Sequence, residues 1–121
     1  MNSPIQSAHE HLEAFLSQDV EKINETTLFP FIHVQPDGEF LSFNSTEELA
    51  PFGEQPFKSE IAQCVLLDSG EASAILSIIA QRFDFEGSAT VQVKAVWGAT
   101  KNEERWCIRL RHFLGEVQDA A

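Results

Sequence analysis

His112 ends an alternating series, Trp106, Ile108, Leu110 and His112, in which every second residue is apolar until the histidine. Strict alternation places such a series on the buried face of a strand, and an imidazole there suits proton transfer near neutral pH. A core histidine satisfied by one hydrogen bond fits the same pattern. Arg82 and Asp84 stand two apart in an earlier strand-like run and so share a face. The guanidinium is a rigid fork for a carboxylate, so Arg82 could hold an anionic group while Asp84 orients His112. A rim pair closed on itself would serve structure alone. His33 and Asp37 flank a turn, where an inward His33 could act as a base oriented by the acid. An Asp before Gly in a turn more commonly serves the turn.

Other reactive types carry less. His9 and His11 are two apart on a helix and do not face each other, which argues against a metal site and for a solvated face. Cys64 and Cys107 have neither metal nor redox spacing and lie in apolar runs, where a thiol behaves as a small hydrophobe. No metal and no cofactor is expected.

Elements that position these residues can be read from caps and turns. Ser3, Pro4 and Gln6 form a helix start, with Ile5, Ala8, Leu12, Phe15 and Leu16 on one face and His9, Glu10 and Glu13 toward water. Asp19 caps a second helix carrying Val20, Ile23 and Leu28, which Pro30 should end near Phe29. Phe31 to Gln35 and Glu39 to Phe43 flank Pro36, Asp37 and Gly38 as a hairpin. A third, two-turn helix follows the capping run Asn44, Ser45 and Thr46, and the stretch 51–58 is a candidate flap with Phe52 and Phe57 tucked inward. Strands are expected over Ile61 to Leu67, Ala72 to Phe85, Ala89 to Trp97 and from Trp106 onward, joined as an antiparallel meander.

A tight turn at Glu86 and Gly87 would set Arg82 opposite Val91, and pairing Trp97 with Trp106 would set His112 opposite Val91 as well. Arg82 and His112 would then lie roughly 10 Å apart on one face. The opposite face of the last strand carries Arg105, Cys107, Arg109, Arg111 and Phe113.

Bulk properties narrow the class. The 121 residues suit one domain over 1–121, and 43% hydrophobic with 22% charged residues is the composition of a folded chain. With 19 acidic and 8 basic residues the formal net charge is −11, which repels nucleic acid and anionic lipid. No stretch of 18 apolar residues and no signal-like start is seen, so neither membrane nor export is expected and the cytoplasm is the simplest location.

Helix, helix, hairpin, short helix and a long meander, with an early Trp in the last strand, resemble the nuclear transport factor 2-like superfamily. The segments LFPFIHVQPDGEFLSFNSTEEL and RFDFEGSATVQVKAVWGATKNEERWCIRLRHF look like an uncharacterised bacterial group, and the end from Trp106 is similar to polyketide-cyclase-like (SnoaL-like) members. Those bacterial relatives place His and Arg where this chain has Phe31 and His33.

The resemblance implies an α+β, cone-shaped, cystatin-like roll with N-terminal helices on a strongly curved antiparallel sheet. It also implies a homodimer through the convex sheet face, where Arg109, Arg111 and Phe113 would meet acidic groups of the second copy. The superfamily holds isomerases, dehydratases and cyclases beside non-enzymes, so the fold leaves the activity open. Ketosteroid-isomerase-like chemistry is disfavoured, because the chain has no Tyr to stabilise an enolate.

The cone pocket expected here is lined by Leu12, Phe15, His33, Leu76, Val91, Val93, Trp97, Trp106 and Leu110, with His112 and Arg82 as polar groups. The reading that follows is binding of a small apolar or amphipathic molecule. Cofactor-free acid–base catalysis by His112, Arg82 and Asp84, or a dimeric adaptor, are the alternatives.

Overall fold

The computed structural model describes residues 2–52 and 58–117. Its elements run α1 (Pro4–Ser17), α2 (Val20–Thr26), β1 (Thr27–Val34), β2 (Phe40–Phe43), α3 (Thr46–Phe52), β3 (Lys58–Ser69), β4 (Ser73–Phe83), β5 (Ala89–Asn102) and β6 (Arg105–Glu116).

Local chemistry accounts for the helix starts. The Ser3 hydroxyl accepts from the Gln6 backbone N–H at 3.1 Å, and the Gln6 side chain accepts from the Ser3 N–H at 2.8 Å, closing the expected capping box. Asp19 caps α2 by accepting from the Lys22 N–H at 3.3 Å. That helix ends at Thr26, earlier than expected, because the chain from Thr27 joins the sheet. Replacing Ser3 by Ala should lower stability by about 1 kcal/mol in urea unfolding, the usual effect of losing an N-cap. An unchanged midpoint would mean that the α1 start is held by Asn2 instead, whose amide bonds the N–H and C=O of Trp106 at 2.9 Å each.

The six strands order as β2-β1-β6-β5-β4-β3. The hairpin of β1 and β2 and the β3 to β6 meander are antiparallel as expected, but β1 joins the meander by running parallel to β6, so the sheet is mixed. No helix among the described residues is long and apolar enough to cross a membrane. The expected flap lies mostly outside the described residues, Phe57 included, while Phe52 ends α3.

Turn geometry corrects the register. Residues 84–88 form the β4–β5 turn, with the Asp84 carboxylate accepting from the N–H groups of Glu86 and Ser88 at 3.0 and 2.9 Å. Phe83 therefore pairs with Ala89 and Gln81 with Gln92, the ladder slipping by one residue between them. β5 continues to Asn102, and only Glu103 and Glu104, both at positive φ, make the next turn. Two such residues match the twist of a tight hairpin. Trp106 consequently pairs with Lys101, and Trp97 pairs with Arg111.

A β-bulge sits between these pairs. Ala99 faces Ile108 and Gly98 faces Leu110, leaving Arg109 as the extra residue on β6. One extra residue exchanges the faces of everything beyond it. Trp106 and Ile108 point into the core as expected, but past the bulge Arg111 and Phe113 turn inward while Leu110 and His112 turn outward.

The core lies between α1 and the sheet, around Phe15, Ile23, Phe31, Leu76, Trp97 and Ile108. α1 is rotated relative to the expected face: Ser7, Ala8, His11, Ala14 and Phe15 are buried, whereas Ile5 and Leu16 are exposed. Alanines at positions 8 and 14 leave room for the larger His11 and Phe15 to reach the sheet.

Candidate functional site

Register places the site before any side chain is considered. Leu41, His33, Arg111, Trp97, Leu76 and Leu66 pair in succession across all six strands, so they form one row on the concave face. The next row carries Phe113, Ala95, Ile78 and Cys64. Above these rows, beneath α1, is a cavity of about 560 Å³. Leu12, Phe15, Phe52, Val93 and Ala95 are among its apolar walls.

Arg111 is the dominant charge. Only 8% of its surface is exposed, and its guanidinium carbon lies 4.8 Å from the Phe15 ring centre, 5.0 Å from Phe31 and 5.9 Å from Trp97. Rings at these distances attract a cation through their negative faces. No carboxylate or other acceptor among the described residues meets it, and its Nε is buried without a partner. Burial pushes its pKa down to about 10, so it remains charged at neutral pH.

Two histidines border this cation. His33, its register partner on β1, is 5% exposed and stacks edgewise on Phe52 at 4.9 Å and near Phe113 at 5.2 Å. Burial, followed by the charge of Arg111, lowers its pKa to about 4, partly offset by a hydrogen bond with Gln35. His11, fully buried on α1, packs against Phe15, Phe31 and Trp97, with its Nδ1 3.1 Å from the Thr27 hydroxyl. Burial and Arg111 hold its pKa well below the ordinary histidine value. Both imidazoles are neutral beside the guanidinium. Arg82 lines the same cavity with its guanidinium 5.9 Å from the Phe113 ring centre, and its pKa is lowered by burial against the opposing pull of Glu116.

The structure brings Leu12, Phe15, His33, Arg82, Val93 and Trp97 together around the cavity as expected. Leu76 and Trp106 lie in the core rather than on the cavity wall, and Val91 lies beyond it, beside Glu116 and Val117. Leu110 and His112 are on the outer face, so the Arg82–Val91–His112 row does not form and Arg82 and His112 stand on opposite sides of the sheet. Asp84 is spent on its turn, and Asp37 likewise accepts from the Glu39 N–H at 2.9 Å. Of the residues assigned to the convex face, Arg109 is exposed while Arg111 and Phe113 belong to the cavity.

The expected solvated His11 is buried. A signal existed for it: Ala8, His11, Ala14 and Phe15 have helical core spacing once His is admitted as a core residue. Burial raises the thiol pKa of both Cys64 and Cys107, consistent with inert core thiols. Among the described residues, no group of three or more His, Cys, Asp or Glu could hold a metal.

No family model and no curated protein matches the sequence. Solved structures do match. The association domain of C. elegans CaMKII superposes with a TM-score of 0.70 at 15% identity, covering 90% of each chain. A protein of unknown function with a cystatin-like fold from Nostoc punctiforme gives 0.72 at 13% identity, covering 90% of this chain and 85% of that one. An NTF2-like protein from Cytophaga hutchinsonii gives 0.70 at 11% identity, covering 95% and 99%. The fold is that of the NTF2-like, cystatin-like proteins. At such identities the NTF2-like likeness concerns the backbone, and what the cavity does must be argued from its own side chains.

Proposed function

We propose that this chain binds a small apolar or amphipathic molecule in the cavity beneath α1, as a homodimer joined through the outer sheet face. The observation that carries the binding reading is the cavity itself, about 560 Å³ behind largely apolar walls on which Arg111, His33 and Arg82 converge. Sites for small molecules have this size and this mixture of apolar walls and few polar groups.

Binding is favoured over proton transfer by the placement of the histidines. His112 lies away from the cavity, and His33, with a pKa near 4, is a weak base at neutral pH. Self-association is supported by two facts. One neighbour in fold is an association domain. The outer face also presents Ile32, Leu110 and Ile75 in one row and Val34, His112, Val96 and Val65 in the next, with Ile75 48% exposed. An apolar sheet face of this kind is the usual core of a symmetric interface.

N-phenyl-1-naphthylamine, an uncharged fluorescent probe, should brighten on mixing with the protein and fail to do so with Ala95→Phe, which fills the cavity. Native mass spectrometry should give a dimer that Ile75→Asp converts to monomer. Probe fluorescence identical in the two proteins would overturn the binding reading, and a monomeric wild type would overturn the dimer.

A further inference from the structure

Arg111 poses a problem that an apolar ligand alone does not solve. A buried charge is ordinarily paired, because removing an ion from water is expensive and its partner recovers part of that penalty. Here the guanidinium has aromatic rings on several sides, a neutral histidine as its strand neighbour and no acceptor among the described residues. The bulge at Arg109 is what turns it inward, although the chain carries 19 acidic residues, any of which could have been placed opposite it.

We infer that the cavity takes a monoanion with an apolar body, and that Arg111 receives its carboxylate. The inference rests on the cavity-binding reading above. A guanidinium presents parallel N–H donors matched to the two oxygens of a carboxylate, so one residue can neutralise and orient the group. A single deep cation also selects for charge number. The two imidazoles nearest Arg111 are neutral, so a doubly charged phosphate would leave one charge uncompensated in a low-dielectric site. The apolar walls formed by Phe15, Phe52, Val93 and Ala95 accept the rest of the ligand. Arg82, under the influence of Glu116, lies on the same cavity and adds attraction for an entering anion, whereas the net charge of −11 opposes it at long range. Recognition therefore depends on contact with Arg111 more than on steering.

Calorimetric titration with matched acids and primary amides tests this: benzoate and benzamide, hexanoate and hexanamide, 1-naphthoate and 1-naphthamide. At least one acid should bind about tenfold or more tightly than its amide, the range expected of a charge-assisted hydrogen bond. In Arg111→Met that preference should fall to within about twofold while amide binding persists. The variant should melt no lower than the wild type, since an unpaired buried cation has been replaced by an apolar side chain.

NMR titration of His33 in the wild type supplies a readout that needs no variant. Neutralising Arg111 with bound acid should raise the His33 pKa from about 4, because the charge of Arg111 helps to depress it. Equal binding of acid and amide would overturn the anion inference and leave the cavity reading standing. A preference that survives in Arg111→Met, or a His33 titration unmoved at saturation, would overturn the role of Arg111. Failure of every pair to bind would overturn the cavity reading, and the inference with it.

Discussion

Replacing Phe31 by Ala is expected to lower stability by about 3–5 kcal/mol, the largest single loss anticipated for this chain. The ring has no exposed surface, and it stands 5.7 Å from His11 and 6.3 Å from Phe43 between ring centres. Its removal forfeits the transfer energy of the ring and leaves a void that the surrounding strands can only partly close. It also strips one aromatic face from the Arg111 guanidinium, 5.0 Å away. Native domains have about 5–15 kcal/mol to lose, so the variant should be near its folding limit at room temperature. Urea unfolding would measure the change, with Phe31→Leu as a milder comparison. A loss below about 1 kcal/mol for the Ala variant would show that Phe31 is not a keystone between β1 and α1.

Stability should also fall steeply as pH drops from about 6.5 towards 4. Both His11 and His33 have folded-state pKa values depressed below the ordinary histidine value, by burial first and by Arg111 second. A histidine that is neutral when folded but has an ordinary pKa when unfolded makes the unfolded chain the stronger proton binder within that window. The stabilisation is therefore complete above pH 6.5 and is lost as pH falls toward the folded value, which for His33 is about 4. Each such histidine contributes a slope of up to about 1.4 kcal/mol per pH unit.

The groups facing them offer little compensation. Arg111 is cationic and disfavours a second positive charge, while Thr27 and Gln35 contribute neutral hydrogen bonds. Urea midpoints between pH 7 and 5, above the ordinary carboxylate range, should shift downward, and His11→Gln and His33→Gln should each flatten the trend. A flat profile in the wild type would mean that the imidazoles take up protons in the folded state, contrary to their burial.

Local chemistry made much of this protein legible. The capping box at Ser3, the Asp19 cap, the hairpin at Pro36 to Gly38 and the alternation in β5 each depend on residues within a few positions of one another. Those interactions survive whatever the rest of the chain does, so the pattern and the structure agree. The site was half legible for the same reason. Val93 and Trp97 face the cavity because β5 keeps its period of two across that stretch, and Leu12 and Phe15 face it because a helix repeats every 3.6 residues. His112 and Arg111 exchanged roles because β6 does not keep its period.

By itself the sequence determined the element types, their order, the helix caps, most turns and the α+β class, all of which follow from short-range sterics and hydrogen bonding. The tertiary structure alone decided the parallel pairing of β1 with β6, the rotation that buries His11, and the bulge at Arg109 that brings Arg111 beneath α1. The physical reason is that side chains on a strand alternate with a period of two. One unpaired residue reverses every face beyond it, and whether that reversal is favourable depends on what lies across the core, here Phe15, Phe31 and Trp97 from distant parts of the chain.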